Sequence, residues 1–146
     1  MKIIAYLVNA GLLIGFFVFA GCGSDDSGPN LVDLRKELLA SAAWNVNTVA
    51  VDGIDISSAF VGSRVTFQAN GNFTTTIDPT FSDVWPSTGI WSLTSLDIMV
   101  VNSIDMTISN ASTTSLTLSF PFIGASAHKG GRISSLNGNY VMTFTR

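Results

Sequence analysis

The stretch Val65-Thr66-Phe67-Gln68-Ala69-Asn70-Gly71-Asn72-Phe73 decides how the chain is read. Apolar and polar residues alternate on both sides of an Asn-Gly pair. Alternation sends successive side chains to opposite faces of a strand, and Asn-Gly between two such runs is the strongest short-range hairpin signal. The spacing therefore predicts a strand over Arg64–Gln68, a turn at Ala69–Asn72 and a returning strand over Phe73–Ile77. The same grammar extends in both directions. Trp44–Val49, Gly89–Thr94, Asp97–Val101, Ile104–Ser109, Ser115–Phe120 and Asn139–Thr145 read as strands bounded by turn formers such as Asn102-Ser103 and Asn137-Gly138. The count is eight.

Eight short strands following one another at intervals of roughly 8–12 residues point to an all-β, up-and-down antiparallel meander. With one apolar face, such a sheet either curls into a barrel or packs on a second sheet. Closure also removes the edges that invite aggregation, so an eight-stranded up-and-down antiparallel barrel is the expected fold. A two-sheet sandwich is the alternative; its Greek-key crossovers are hard to find here. One segment departs from strand grammar. In Leu31–Ala42, Leu31, Leu34, Leu38 and Leu39 recur at helical spacing with charged residues between them, and Asn30 stands where a cap belongs. A helix this short needs something to pack on, so it is expected to plug or cover the strand domain, which spans residues 31–146.

Upstream the composition changes. Lys2 supplies one positive charge and Ile3–Ala20 carries none, the layout of an export signal. A retained membrane helix is the alternative, since 18 uncharged residues suffice to span a bilayer. The segment ends in Phe19-Ala20-Gly21-Cys22. This resembles the lipobox of bacterial lipoproteins, although Phe19 stands where an aliphatic residue is usual. The resemblance implies a signal peptide over residues 1–21, cleavage before Cys22, and acylation (palmitate-type) of the Cys22 thiol and the new amino terminus. Cys22 is the only cysteine, so no internal disulfide can form. Residues 22–30 are small, polar and acidic, a flexible tether. Within it, Ser24-Asp25-Asp26 resembles the short acidic export signal of Bacteroidetes-type surface lipoproteins; a plain spacer is the other reading. Together these imply a lipid-anchored outer-membrane protein, with exposure at the cell surface if the acidic signal acts.

Leu38-Leu39 before Trp44, then Asp52-Gly53, the Val65–Phe73 hairpin, Gly89-Ile90-Trp91 and Leu116-Thr117-Leu118 come in a telling order. It resembles that of the lipocalin-like (calycin-type) domains of small Bacteroidetes-type secreted lipoproteins. Ala42 stands where lipocalins proper have a glycine, and the disulfide they often carry is impossible here. The resemblance implies a barrel with ligand binding as a family tendency, and no particular ligand.

For chemistry the chain is sparse. His128 is the single histidine and no G-x-S-x-G elbow exists, so no nucleophile–base set is evident. Asp78, Asp83, Asp97 and Asp105 are isolated acids without calcium-loop spacing. No enzyme activity, metal or cofactor is expected. Without residues 1–21 the chain holds six Lys and Arg against ten Asp and Glu, formally −4, with no basic patch for nucleic acid. A monomer is expected. The aromatic residues are the informative set: in a barrel they either fill the core or line an apolar cavity. Candidate ligand-binding residues are Trp44, Phe67, Phe73, Phe81, Val84, Trp85 and Trp91. Of these, Phe81, Val84 and Trp85 sit in a loop and are expected at the barrel mouth. A small apolar ligand is the first expectation. A loop-mediated binding or inhibitor module for a macromolecule or glycan is the second.

The anchoring expectation has a direct check. Globomycin treatment or Cys22→Ala should change the size of the mature protein and release it from the membrane fraction; an unchanged size and partition would contradict acylation at Cys22.

Overall fold

The computed structural model describes residues 28–124 and 136–146. The segments carrying the signal peptide, Cys22, Ser24, Asp25 and Asp26, and the glycine-rich link with His128, lie outside the described residues. The described chain enters through α1, Leu31–Ala40. The Asn30 side chain accepts the Val32 N–H at 3.0 Å, satisfying one of the helix's free donors as the sequence suggests. The helix stops short of Ala42 because Ser41 turns the chain, its N–H and hydroxyl both bonding the Leu38 carbonyl. Ala43 is already paired in the sheet.

Nine strands follow: β1 Ala43–Val51, β2 Ile54–Asp55, β3 Arg64–Phe67, β4 Asn72–Thr76, β5 Thr88–Leu93, β6 Ile98–Val101, β7 Ile104–Ala111, β8 Ser115–Phe122 and β9 Gly138–Thr145. Neighbours pair antiparallel from β1–β3 through to β8–β9, and β9 returns to pair with β1 from Asn45↔Thr145 to Val51↔Tyr140. The result is a closed eight-stranded antiparallel barrel, as the meander predicts. β2 is the addition. It folds back on the end of β1 through Asp52-Gly53, whose φ values of 50° and 82° suit the tight hairpin turn that Asp-Gly favours.

Two bulges curve the wall. Trp44 and Val49 both face the core, yet they are five residues apart, an odd spacing that would put them on opposite faces of a regular strand. The register shift between Val46 and Thr48 reconciles them. A second shift between Ile108 and Asn110 bends β7. Inside, Phe67, Phe73, Leu116, Leu118, Met99, Met106, Met142 and Phe144 are essentially without solvent exposure.

One end is closed by α1, whose Leu39 is fully buried. The Trp44 indole N–H donates to the Leu39 carbonyl at 2.9 Å. The Arg146 guanidinium lies 4.3 Å above the Trp44 ring and also donates to the Leu38 carbonyl and to the Ser41 hydroxyl. The last residue of the chain thus clamps the helix and the first strand together through a cation–π contact. Trp44→Ala should cost about 3–5 kcal/mol in urea unfolding, the range for deleting a core aromatic. Ile90→Ala, at a solvent-exposed position of the neighbouring wall, should stay within about 0.5 kcal/mol.

Candidate functional site

The described part of the opposite end is built by the connections β1–β3 and β4–β5, with Leu136 just before β9. In the β4–β5 connection, Asp78 accepts the Thr80 N–H at 2.8 Å and starts a 3₁₀ turn over Pro79–Phe81. The Val84 and Trp85 N–H groups both bond the Phe81 carbonyl, which folds the chain inward. Thr75 holds the far side, its N–H bonded to the Ser87 carbonyl and its hydroxyl to that of Pro86. Pinned this way, the loop drives the Trp85 ring into the lumen. It meets Phe73 and Phe120 edge-on at 6.3 and 5.9 Å and Phe144 at 6.0 Å. Trp85 is 0 % exposed and Val84 is buried beside it.

The loop expected to display an aromatic pair therefore displays one ring only. Phe81 stays at the rim, half-buried against Phe60 with centroids 4.4 Å apart. Trp85 is core because the barrel is wide enough to need a filler that the strands alone do not provide. Phe67, Phe73, Trp85 and Trp91 form one continuous aromatic run through the lumen, with Phe67 and Trp91 5.0 Å apart. Trp44 stands apart from them at the closed end. The three indoles differ in one respect. Trp44 bonds the Leu39 carbonyl and Trp91 bonds the Gln68 carbonyl, each at 2.9 Å, whereas the buried Trp85 N–H has no partner.

Space remains at the mouth. A cavity of about 400 Å³ is lined by Val51, Asp55, Ile56, Ser58, Ala59, Thr80, Phe81, Leu136 and Tyr140. Its position follows from the Asp52-Gly53 turn, which carries β2 and the 3₁₀ turn Ser57–Phe60 back across the barrel end. Tyr140 forms part of the floor; its ring stacks on Phe120 at 5.4 Å and its hydroxyl donates to the Leu136 carbonyl at 2.8 Å. Of the residues singled out in the sequence, only Phe81 lines this cavity. The others are absent from the sequence reading because no single residue among them departs from ordinary strand or turn usage. Asp-Gly was the one signal that could have placed the segment from Ile54 to Phe60 over the mouth.

Three carboxyls near this end are held by local hydrogen bonds. The Ser57 hydroxyl and N–H both donate to Asp55 and hold its carboxyl below the ordinary carboxylate range. The Asn139 N–H and side-chain amide do the same for Asp52, and the Thr80 hydroxyl and N–H for Asp78. Burial, then the Asp52 charge, raises the Tyr140 hydroxyl above its usual value. Carboxyls depressed in the folded state stabilise it above the unfolded range, and that contribution fades as pH falls through the folded values.

A shallower groove of about 290 Å³ runs along α1 between Leu31, Leu34, Arg35, Leu38, Leu96 and Ala111. Among the described residues no three His, Cys, Asp or Glu side chains gather to hold a metal, and no helix is long and apolar enough to cross a membrane. The described residues form a closed antiparallel barrel whose lumen is lined by buried side chains, with an apolar vestibule at this mouth. Neither a known protein-family model nor a curated protein matches the sequence.

The indole contrast makes a prediction. Trp85→Phe removes a buried donor that has no acceptor, whereas Trp91→Phe loses a made hydrogen bond to the Gln68 carbonyl, which keeps the Gly71 N–H. A made hydrogen bond contributes about 0.5–1.5 kcal/mol, so urea midpoints should rank Trp85→Phe above Trp91→Phe. The reverse order would mean that the Trp85 N–H is satisfied in solution.

Proposed function

We propose that this chain is a lipid-anchored lipoprotein of the outer membrane, attached through Cys22, whose barrel binds a small apolar ligand at its mouth. The observation that carries the binding half is the cavity of about 400 Å³ floored by Ile56, Phe81, Leu136 and Tyr140. Concave, mainly apolar sites with a few polar groups are the usual form of small-molecule sites. The anchoring half rests on the lipobox resemblance at Cys22. The two halves are compatible: the described chain enters through α1, at the end opposite the mouth. The proposed role is capture rather than catalysis, because no acid–base or nucleophile pair lines the cavity. The protein acts as a monomer without cofactor and without nucleic acid.

A second reading is loop-mediated binding of a macromolecule or glycan. It is favoured by Ile54, Val61 and Ile123, large apolar residues left exposed in the connections at the mouth end. Exposed apolar residues are the groups such a partner would cover.

Nile red, a neutral solvatochromic dye of suitable size, separates the two when titrated into the purified full chain. Ligand capture predicts saturable one-to-one binding with a blue-shifted emission, lost in Ala59→Trp, which fills the cavity from its wall. Absence of saturable binding, or binding untouched by Ala59→Trp, would contradict it and leave the rim reading.

A further inference from the structure

The mouth cavity has a polar side as well as an apolar floor, and its polarity has one sign. Among the described residues, Asp55 is the only charged one in the lining. Its Oδ1 is occupied by the N–H and hydroxyl of Ser57, which fix the carboxylate in place. Its Oδ2 receives no hydrogen bond among the described residues. The Ser58 and Thr80 hydroxyls stand in the same lining. Asp52 is held by the N–H and side-chain amide of Asn139, the residue before Tyr140, and Asp78 starts the turn that carries Thr80 and Phe81.

We infer that the cavity is specific for an apolar amine: a hydrocarbon or aromatic body on Ile56, Phe81 and Tyr140, with a protonated amino group on the free oxygen of Asp55. This rests on the proposed capture of an apolar ligand at the mouth and narrows its class. The ammonium would gain a charge-assisted hydrogen bond from a carboxylate already held in position. A fatty-acid head would meet the like charge of Asp55. Discrimination by like-charge repulsion works against it.

The test uses three probes with the same chain: n-hexylamine, n-hexanol and n-hexanoate, titrated calorimetrically into the full chain at pH 7. The amine should bind about fivefold more tightly than the alcohol, the modest margin suited to a solvent-exposed carboxylate, and the acid should bind least. Asp55→Asn should bring the amine down to the alcohol's affinity and leave the alcohol unchanged, which also verifies that the variant is folded. Added salt should shrink the amine's margin. Equal binding of all three probes would overturn the amine class while leaving apolar capture intact. Preference for hexanoate would overturn it too. No binding of any probe would sink the capture reading itself.

Discussion

The pairing of β9 with β1 is the constraint on which the rest of the structure depends. β1 is shared along its length: its start pairs with β3, from Ala43↔Thr66 to Asn45↔Arg64, and its remainder pairs with β9. That division staggers the strands, as closure of a sheet requires, and it needs the bulge beyond Val46 to keep Trp44 and Val49 on one face. Were β1 and β9 apart, each would present a row of unpaired backbone groups, and the lumen would open to water. The Arg146 clamp follows from the same pairing, because β9 delivers the last residue of the chain to Trp44 and α1.

Closure also sets what the inside can do. Eight strands enclose a space that side chains can fill or that holds one small ligand. Here large rings fill it: Phe67, Phe73, Trp91, Phe120 and Phe144 come from the walls, and Trp85 comes from a loop. With the deep lumen packed, open volume is displaced to the end where α1 is absent. The vestibule is thus a by-product of how the barrel is plugged, and its lining is inherited from the connections rather than from the strands. That explains why its chemistry is local: among the described residues, one carboxylate, three hydroxyls and an apolar floor.

Much of the fold was legible in the residues. Alternation and Asn70-Gly71 marked the eight strands, and helical spacing with Asn30 marked α1. The bulges were not legible, because an inserted residue such as Asn47 looks like any polar residue in an alternating run. β2 was hidden in two residues, although Asp52-Gly53 announced its turn. The site was harder. Periodicity says which face of a strand a side chain takes, and says nothing of a loop residue, so Trp85 could not be told from a displayed aromatic. Phe81 and Trp85 are four residues apart, yet one ring lies at the rim and the other in the lumen because the hydrogen bonds to the Phe81 carbonyl turn the chain between them. Asp55, Ile56 and Tyr140 meet only through the tertiary fold. The lipobox at Cys22 speaks to anchoring, which barrel geometry does not address.

Amide hydrogen exchange along β1 and β9 tests the central claim of a closed barrel most directly. In a closed barrel the paired amides of both strands exchange only through global unfolding, at the same free energy as those of β7 and β8. If β1 and β9 instead exchange as readily as the short β2 edge, the sheet is open, and the account of the filled lumen and its vestibule fails with it.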